Sequence, residues 1–262
     1  MELVAGLLIA DRYRLDRRLG MGGMGEVWAA THTVTGRASA LKFVRTRVDS
    51  GEESKQRFER EARASTAVSH PNVIEVRDYF WLEDGTPVMV MDLLAGESLR
   101  DRLTRAGRLT VEETCTILAQ VISAVGAAHA AGVVHRDLKP DNIFLARSDD
   151  GAEVAKVLDF GVAKLIGASE LPAQLTEPGV IMGTPWYMAP EQASGEHDVD
   201  ERADVWAIGV IAYECLSGDR PVRGDNLGKV LLQVLSGSIA PLATVTEGVP
   251  ADLIALVGLF MT

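Results

Sequence analysis

Four side chains that could handle phosphate oxygens and a metal ion lie close together in the middle of this sequence. Asp137, Lys139 and Asn142 fall within one run of eight residues, His135–Asn142, and Asp159 follows seventeen residues after Asn142. The first carboxylate can hold a hydroxyl group, the lysine can hold a phosphate, and the amide and the second carboxylate can hold a metal ion. Phosphoryl transfer needs these parts, since its chemistry consists almost entirely of positioning and charge neutralisation.

The run His135–Asn142, followed by Asp159-Phe160-Gly161, resembles the catalytic and metal-binding loops of eukaryotic-type (Hanks-type) serine/threonine protein kinases, particularly the bacterial members. Lys139, two residues after Asp137, is the serine/threonine form of the motif. The resemblance implies that Asp137 orients the substrate hydroxyl and accepts its proton, while Lys139 steadies the transferring phosphoryl group. It also implies that Asn142 and Asp159 hold Mg²⁺ between the phosphates of ATP, because hard oxygen ligands suit that ion.

This resemblance implies an α+β, bilobal fold with a small antiparallel β lobe, one regulatory helix and a larger, mainly helical lobe. One kinase domain would take residues 1–262, divided into an N-terminal lobe (1–92) and a C-terminal lobe (93–262). Strand-like runs before Gly96 and long helical patterns after it support this division. A chain of 262 residues with 47% hydrophobic content can bury the core of one such domain and little more.

A glycine-rich segment near the N-terminus, Gly20–Val27, fits the pattern G-x-G-x-x-G-x-V that covers ATP phosphates in kinases. Its glycines let backbone amides approach phosphate oxygens where a Cβ atom would interfere. The same glycines could belong to a dinucleotide-binding turn, but that turn would open a helix. The residues after Gly25 read as a strand instead, so the kinase interpretation is favoured.

Lys42 lies within a run, Ala40–Val44, that is too apolar for a solvent-facing edge strand. It is therefore expected to point into a cleft and to need an anionic partner. In the family that the chain resembles, such a lysine contacts the α- and β-phosphates of ATP and pairs with a helix glutamate. Residues 54–68 read as a helix, on which Glu61 is the matching glutamate. Glu59 is the alternative, but it faces another direction on that helix.

Two further strand-like runs, Val73–Trp81 and Val88–Met91, follow. By resemblance, Met91 is the gatekeeper before the hinge, and the adenine edge would bond to backbone groups of Asp92 and Leu94. The full nucleotide-binding set implied by the resemblance is Gly20, Met21, Gly22, Gly23, Gly25, Val27, Ala40, Lys42, Met91, Asp92, Leu94 and Phe144.

The segment from Asp159 to Glu191 resembles a kinase activation segment. Thr184 is expected to contact the catalytic aspartate and lysine and to help form the platform for the substrate residue after the acceptor. By resemblance, Arg136 is expected to bind a phosphate group on this segment, because a phosphate can order a loop by pairing with arginine. The expected autophosphorylation sites are Thr176 first and Ser169 second; the alternative is that Thr176 is an ordinary loop threonine.

Two features in the C-terminal part have a structural interpretation. Thr110 and Glu113 form a capping box that predicts the start of a long helix, whose apolar stripe is formed by Leu118, Val121, Ile122 and Val125. Asp204 resembles the aspartate that anchors the catalytic-loop backbone from a buried helix. This role fits its apolar surroundings, because a buried carboxylate is costly unless amides satisfy it.

Composition narrows the remaining possibilities. Cys115 and Cys215 form neither a disulfide framework nor a metal pattern and are predicted to be buried, reduced thiols in a cytoplasmic protein. The net charge of −11 argues against nucleic acid and is mildly compatible with basic protein substrates. No run of eighteen apolar residues predicts a membrane span. The excess of arginine over lysine, 20 against 6, is typical of a GC-rich genome.

The C-terminal end departs from the family pattern. Family members usually continue past the helix that begins near Pro250 and carry a later arginine that pairs with the glutamate matching Glu191. No such arginine follows here, so the helical lobe is expected to be incomplete. Glu191, whose counterpart in the family is buried against that arginine, is therefore expected to be more exposed than the pattern implies, or paired with Arg220 or Arg202. Leu253–Phe260 is expected to show apolar surface.

The sequence favours an active, ATP-dependent serine/threonine protein kinase, activated by autophosphorylation, whose partners are ATP and proteins with serine or threonine acceptors. The resemblance also allows a kinase–kinase dimer. A pseudokinase-like scaffold or inactive fragment is the alternative, although it would usually lack an equivalent of Lys42, Asp137, Asn142 or Asp159. A small-molecule phosphotransferase would be expected to lack the segment 183–191.

Overall fold

The computed structural model describes residues 2–22, 25–44, 68–148, 151–160, 185–196, 198–224 and 226–262. Several predictions fall outside the described residues: the helix over 54–67 with Glu61, the loop residue Gly23, and the activation-segment residues Ser169, Thr176 and Thr184.

The N-terminal part is a six-stranded antiparallel sheet with the strand order β1-β2-β3-β4-β6-β5. Its strands are β1 Leu8–Ile9, β2 Tyr13–Gly22, β3 Gly25–His32, β4 Ala38–Val44, β5 Val76–Trp81 and β6 Pro87–Asp92. The strand expected after Gly25 is confirmed, so these glycines do not open a helix. The prediction that β5 begins at Val73 is wrong, because Val73 forms a separate bridge to Val157.

Side-chain alternation along β4 gives the sheet two apolar faces. One face carries Leu41, Phe43, Val88 and Val90, and the other carries Ala40, Val44, Met89 and Met91. Lys42 has the same parity as Ala40 and Val44 and is only 5% exposed. Its register neighbours are Val27 on β3 and Met89 on β6. This apolar strand therefore aims one cation into the protein, as the sequence predicts.

The remaining elements form a small sheet and a helical part. The sheet has the strands β7 Gly96–Ser98, β8 Ile143–Arg147 and β9 Glu153–Val157. The helices are α1 Leu99–Ala106, α2 Val111–Ala130, α3 Pro190–Ala193, α4 Arg202–Ser217, α5 Leu227–Ser236 and α6 Ala251–Phe260. Short 3-10 turns occupy Pro140–Asn142, Pro185–Tyr187 and Leu242–Thr244. An antiparallel sheet followed by helices confirms the predicted α+β, bilobal class.

Helix α2 begins at the predicted capping box. The Thr110 hydroxyl accepts from Glu113 N at 3.1 Å, and the Glu113 carboxylate accepts from Thr110 N at 3.0 Å. Leu118, Val121 and Val125 are buried as predicted. The placement of Ile122 on the same stripe is wrong: it is 43% exposed, since it follows Val121 by one residue and an α-helix turns by about 100° per residue.

The prediction that both cysteines are buried is wrong for Cys115, which is exposed, and right for Cys215. Cys115 directly follows the buried Thr114 on α2 and therefore faces away from the core. By length and hydropathy alone, α2 is the one helix among the described residues that could cross a membrane. Its capping box and its packing against α4 are features of a core helix.

Helix α4 is buried on all sides and forms the centre of the largest apolar cluster. Gly209 lets α6 pack closely on it, because a Cβ at this position would lie 2.8 Å from Phe260 Cβ. On α6, Val257 is buried, whereas Leu256 is 44% and Leu259 is 67% exposed. The predicted apolar surface over Leu253–Phe260 is therefore present.

Candidate active site

The loop His135–Asn142 brings three of the predicted polar residues together. Lys139 Nζ lies 2.7 Å from Asp137 Oδ2. Asn142, at the end of the turn Pro140–Asn142, donates from Nδ2 to the Asp137 carbonyl oxygen at 2.8 Å. The side chains of Asp137 and Lys139 are 20% and 12% exposed, so both are held in a cleft but remain reachable.

Asp204 fixes the start of this loop. Its carboxylate accepts from the backbone N–H of His135 and of Arg136, each at 2.8 Å, and lies 2.8 Å from His129 Nε2. Burial raises the pKa of the Asp204 carboxyl, but these partners outweigh it, so its pKa lies below the ordinary value. The predicted anchor is thus confirmed. It holds Arg136 at φ 65°, a left-handed conformation that is costly outside glycine.

The loop that carries Asp159 is tied to the same anchor. His135 Nε2 lies 2.8 Å from the carbonyl oxygen of Leu158, and the His135 ring packs edge-on against Phe160 with centroids 4.9 Å apart. Asp159 also has a left-handed φ of 62°. One histidine therefore connects the loop of Asp137 with the loop of Asp159.

Lys42, a buried cation, forms an ion pair with Asp159. Its Nζ lies 2.7 Å from Asp159 Oδ2, with both side chains largely buried. Burial raises the pKa of the Asp159 carboxyl, but Lys42 outweighs it and the pKa lies below the ordinary value. Asp159 is therefore ionised at neutral pH. Asp159 was not predicted as a partner of Lys42; the predicted partner, Glu61, lies outside the described residues.

The predicted nucleotide-binding residues lie around Lys42. Gly20, Met21 and Gly22 end β2, and the backbone pairs Gly22 with Gly25 and Gly20 with Val27. Val27, Leu94, Ala40 and Met91 all pack on the sheet face that Lys42 shares. Asp92 ends β6, where its N–H donates to the carbonyl of Glu75 at 3.2 Å and its carboxylate binds Arg77.

Phe144 is the predicted nucleotide-binding residue that the structure places apart from this face. It lies on β8, paired with Ser98 and Lys156, and its ring borders Gly96. A ring carbon of Phe144 lies 3.1 Å from the position that a Cβ on Gly96 would take. Phe144 thus lies on the small sheet at the start of the helical part.

Glu191 does not use either predicted substitute arginine. Arg202 pairs with Asp200, and Arg220 lies against Glu214. The Glu191 side chain is half-buried, and no ion pair reaches it from the residues that the structure describes. Of the two alternatives, pairing with Arg220 or Arg202 is wrong, since both cations are engaged elsewhere. The half-buried side chain agrees with the other, which is greater exposure than the family pattern implies.

A second set of contacts around the site was not predicted from the sequence. Gln192 donates from Nε2 to the Arg136 carbonyl at 2.8 Å, which joins α3 to the catalytic loop. Arg100, Tyr187 and Glu214 also form a buried polar cluster. A buried glutamate within the apolar sequence of α4 was the available signal, because such a carboxylate needs partners.

The donor set fits a divalent cation that is shared with phosphate oxygens. Asn142 donates from Nδ2 to Asp137, and its Oδ1 is the atom that could bind a cation. In Asp159, Oδ2 pairs with Lys42, and Oδ1 is the second candidate ligand atom. Two oxygen ligands suit a cation that completes its shell with phosphate oxygens and water. Among the described residues, no group of three or more His, Cys, Asp or Glu forms a separate metal site.

Comparison with known proteins gives consistent matches. Residues 13–247 match the protein kinase domain. The chain is 40% identical over 221 residues to the serine/threonine-protein kinase pkn3 of Myxococcus xanthus, covering 84% of this chain and 40% of that protein. It is 39% identical over 241 residues to PknA of Mycobacterium tuberculosis, covering 90% and 54%, respectively. The chain thus spans about half or less of these relatives.

Proposed function

We propose that this chain, which belongs to the protein kinase family, transfers the γ-phosphoryl group of ATP to serine and threonine hydroxyls of proteins. The observation that carries the proposal is the constellation around the cleft. Asp137 lies within hydrogen-bond distance of Lys139, Asn142 bonds to the backbone of Asp137, and Asp159 pairs with Lys42. Together they supply a carboxylate that can take the proton of a hydroxyl, two lysine cations, and two side chains with oxygen atoms that can bind a metal ion.

In this mechanism Asp137 orients the acceptor hydroxyl and takes its proton as the phosphoryl group transfers. Lys139, 2.7 Å from that carboxylate, can contact the transferring group without leaving the loop. Lys42 is positioned by β4 to neutralise the phosphates on the other side of the cleft. The apolar face of Val27, Ala40, Met91 and Leu94 would pack against the adenine ring.

Kinases use ATP with a divalent metal ion, and we propose Mg²⁺ for this chain. Asn142 Oδ1 and the Asp159 carboxylate would hold it, since both are hard oxygen donors. When bound, this ion neutralises charge on the phosphate oxygens. The Asp159 carboxyl, whose pKa is lowered by Lys42, is already in the ionised form that a cation requires.

Phosphorylation of dephosphorylated casein with radiolabelled ATP tests this function. Asp137→Asn should lower the rate by roughly 10²–10⁴-fold, because it removes the proton acceptor. Asp252→Asn is the matched control, since Asp252 is an exposed acid at the start of α6. Equal rates for wild type and Asp137→Asn would contradict the proposed mechanism, and an inactive wild type would contradict the function.

Autophosphorylation of the activation segment is a further part of the proposal. Arg136 supports it, because its Nε is buried without a hydrogen-bond partner among the described residues and its Nη2 donates only to the carbonyl of Val199. An unused guanidinium donor suits a phosphate. Mass spectrometry after incubation with ATP should find phosphate on Thr176 or Ser169. An unmodified segment in active protein would mean that Arg136 serves another partner.

A further inference from the structure

Tyr187 lies in the short turn Pro185–Tyr187, near the end of the predicted activation segment, and lines a small cavity together with residues of the catalytic loop. Besides Tyr187, this cavity is lined by Arg136, Asp137 and Leu138 of the loop and by Met188 and Gln192, among others. The ring of Tyr187 is buried, with 3% exposure. The position of this turn relative to Asp137 therefore depends on what holds the Tyr187 side chain.

The Tyr187 hydroxyl is held by a closed set of polar contacts. It donates to Glu214 Oε2 at 2.5 Å. Arg100, on helix α1, donates from Nη1 to Glu214 Oε1 at 2.8 Å and from Nη2 to Glu214 Oε2 at 3.2 Å. The same Nη2 also donates to the Tyr187 hydroxyl. Because a planar guanidinium and a carboxylate match in two-pronged geometry, this arrangement fixes orientation as well as distance.

Arg100 also reaches the catalytic loop. Its Nε lies 3.6 Å from Asp141 Oδ2, and Asp141 directly precedes Asn142, the residue that bonds to the Asp137 backbone. A single side chain on α1 therefore contacts the turn Pro185–Tyr187, the central helix α4 and the catalytic loop. Sequence reasoning gave Arg100 no role.

We propose that Arg100 is a positioning residue for the protein acceptor: through Glu214 and Tyr187 it holds the turn Pro185–Tyr187 and Met188 beside Asp137, where the acceptor segment must lie. This inference rests on the proposed kinase function. Within the part of the chain that the structure describes, the polar contacts of Arg100 are with Glu214, Tyr187 and Asp141 and not with the residues around Lys42. Its effect should therefore fall on use of the protein acceptor rather than on nucleotide affinity.

Glu214 has a second cation that keeps it paired when Arg100 is replaced. Arg220 Nε lies 3.4 Å from Glu214 Oε1, and its guanidinium stacks on the Trp186 ring at 4.5 Å. A buried carboxylate left without any cation would be strongly destabilising. Since Arg220 remains, the Arg100 variants are expected to fold.

The experiment measures KM and kcat for dephosphorylated casein, together with the dissociation constant for ATP, in wild type and five purified variants. Arg100→Met should raise KM for casein about tenfold, since a charge-assisted contact is lost, while the dissociation constant for ATP stays within about twofold. Arg100→Lys keeps the charge but loses the two parallel bonds of the guanidinium to Glu214. Its KM for casein should therefore lie between those of wild type and Arg100→Met. Arg105→Met is the matched control, because Arg105 lies on the same helix in an exposed pair with Glu97.

Tyr187→Phe removes one oxygen atom from the cluster and provides a test that does not depend on the Arg100 variants folding. It should shift KM for casein in the same direction, and the double variant Arg100→Met/Tyr187→Phe should show less than the product of the two effects, because both belong to one network. An unchanged KM in Arg100→Met and Tyr187→Phe would overturn the inference. An equal loss of ATP affinity would also overturn it, as a sign of general damage. If wild type fails to phosphorylate casein, the kinase function fails first.

Discussion

The catalytic loop and the glycine-rich hairpin serve the same cleft, but the protein holds them in opposite ways. The loop around Asp137 is fixed by contacts with residues far away in the sequence. Asp204 binds its start, Gln192 binds the carbonyl of Arg136, and the loop's own His135 binds the carbonyl of Leu158, next to Asp159. These contacts hold two left-handed residues, Arg136 and Asp159, in place. Such strain persists only where surrounding structure determines it.

The hairpin, in contrast, is held by its neighbours in the sheet. Strand β2 pairs with β1 and β3, and its residues from Asp16 to Gly22 are exposed. A Cβ at Gly20 or Gly22 would meet no atom within 4 Å. The comparison teaches that this chain fixes the groups that take part in bond making and leaves backbone amides open where a phosphate must approach.

The largest expected effect is the loss of Asp159. Asp159→Ala removes a predicted metal ligand and the partner of Lys42, so phosphoryl transfer should fall by at least about 10³-fold, and Mg²⁺-dependent ATP binding should weaken. Rates with radiolabelled ATP and calorimetric titration of ATP with and without Mg²⁺ measure both effects. Asp16→Ala, on the exposed part of β2, is the control from the other region. Full activity of Asp159→Ala would remove the metal assignment.

The second prediction concerns the anchor itself. Asp204→Ala leaves two backbone donors of the catalytic loop buried and unsatisfied, each costing about 1–3 kcal/mol. The free energy of unfolding in urea should therefore fall by about 3 kcal/mol, with an unchanged dependence on urea concentration. Glu247→Ala, which replaces an exposed acid away from the anchor, should change the stability little. A stable Asp204 variant would show that the loop keeps its conformation without the anchor.

The anchored region was predicted well because its motifs resemble those of a known family and because local physical rules agree with them. The resemblance identified Asp204 as the anchor, and the need of a buried carboxylate for amide donors supported that role. The apolar surroundings of Lys42 predicted an anionic partner, and among the described residues Asp159 is that partner. The network of Arg100 with Glu214 was missed, since its members lie 114 residues apart and no motif connects them. Long-range pairings of this kind depend on helix packing, which local patterns do not specify.

Errors of helical phase have a similar origin. Cys115 and Ile122 are both apolar residues on an apolar helix, and the sequence alone favoured burial for both. The structure exposes them because α2 packs on one side only, with Thr114 and Val121 facing the core. Because the helix turns by about 100° per residue, a shift of one position along α2 decides whether an apolar side chain faces the core or the solvent.

The third prediction tests the open hairpin. Gly22→Ala should raise KM for ATP several-fold, because the added Cβ obstructs close approach of a phosphate to the backbone. It should leave the melting temperature unchanged, since Gly22 has free space and no positive φ. Gly126→Ala is the control: Gly126 lies on α2 with equal space, so alanine should add about 0.5–1 kcal/mol of stability without affecting ATP. A destabilised Gly22 variant would mean that the hairpin is packed more tightly than its exposure indicates.

The smallest expected effect is a pH dependence of the anchor. The bond from His129 to Asp204 raises the pKa of His129 above its ordinary value of 6.5, against the opposing effect of burial, and Glu201 adds to the rise. A group with a raised folded-state pKa stabilises fully below its unfolded value and loses that contribution as the pH rises through the folded value. Wild type should therefore exceed His129→Gln in unfolding free energy by about 1 kcal/mol near pH 6. The difference should shrink above neutral pH, because glutamine keeps a neutral donor and does not titrate. Urea unfolding across this pH range measures the gap, and His32→Gln, a surface histidine on β3, is the control. A constant gap would show that the bond to Asp204 acts through shape rather than charge, and the anchor would then owe its strength to the two backbone donors alone.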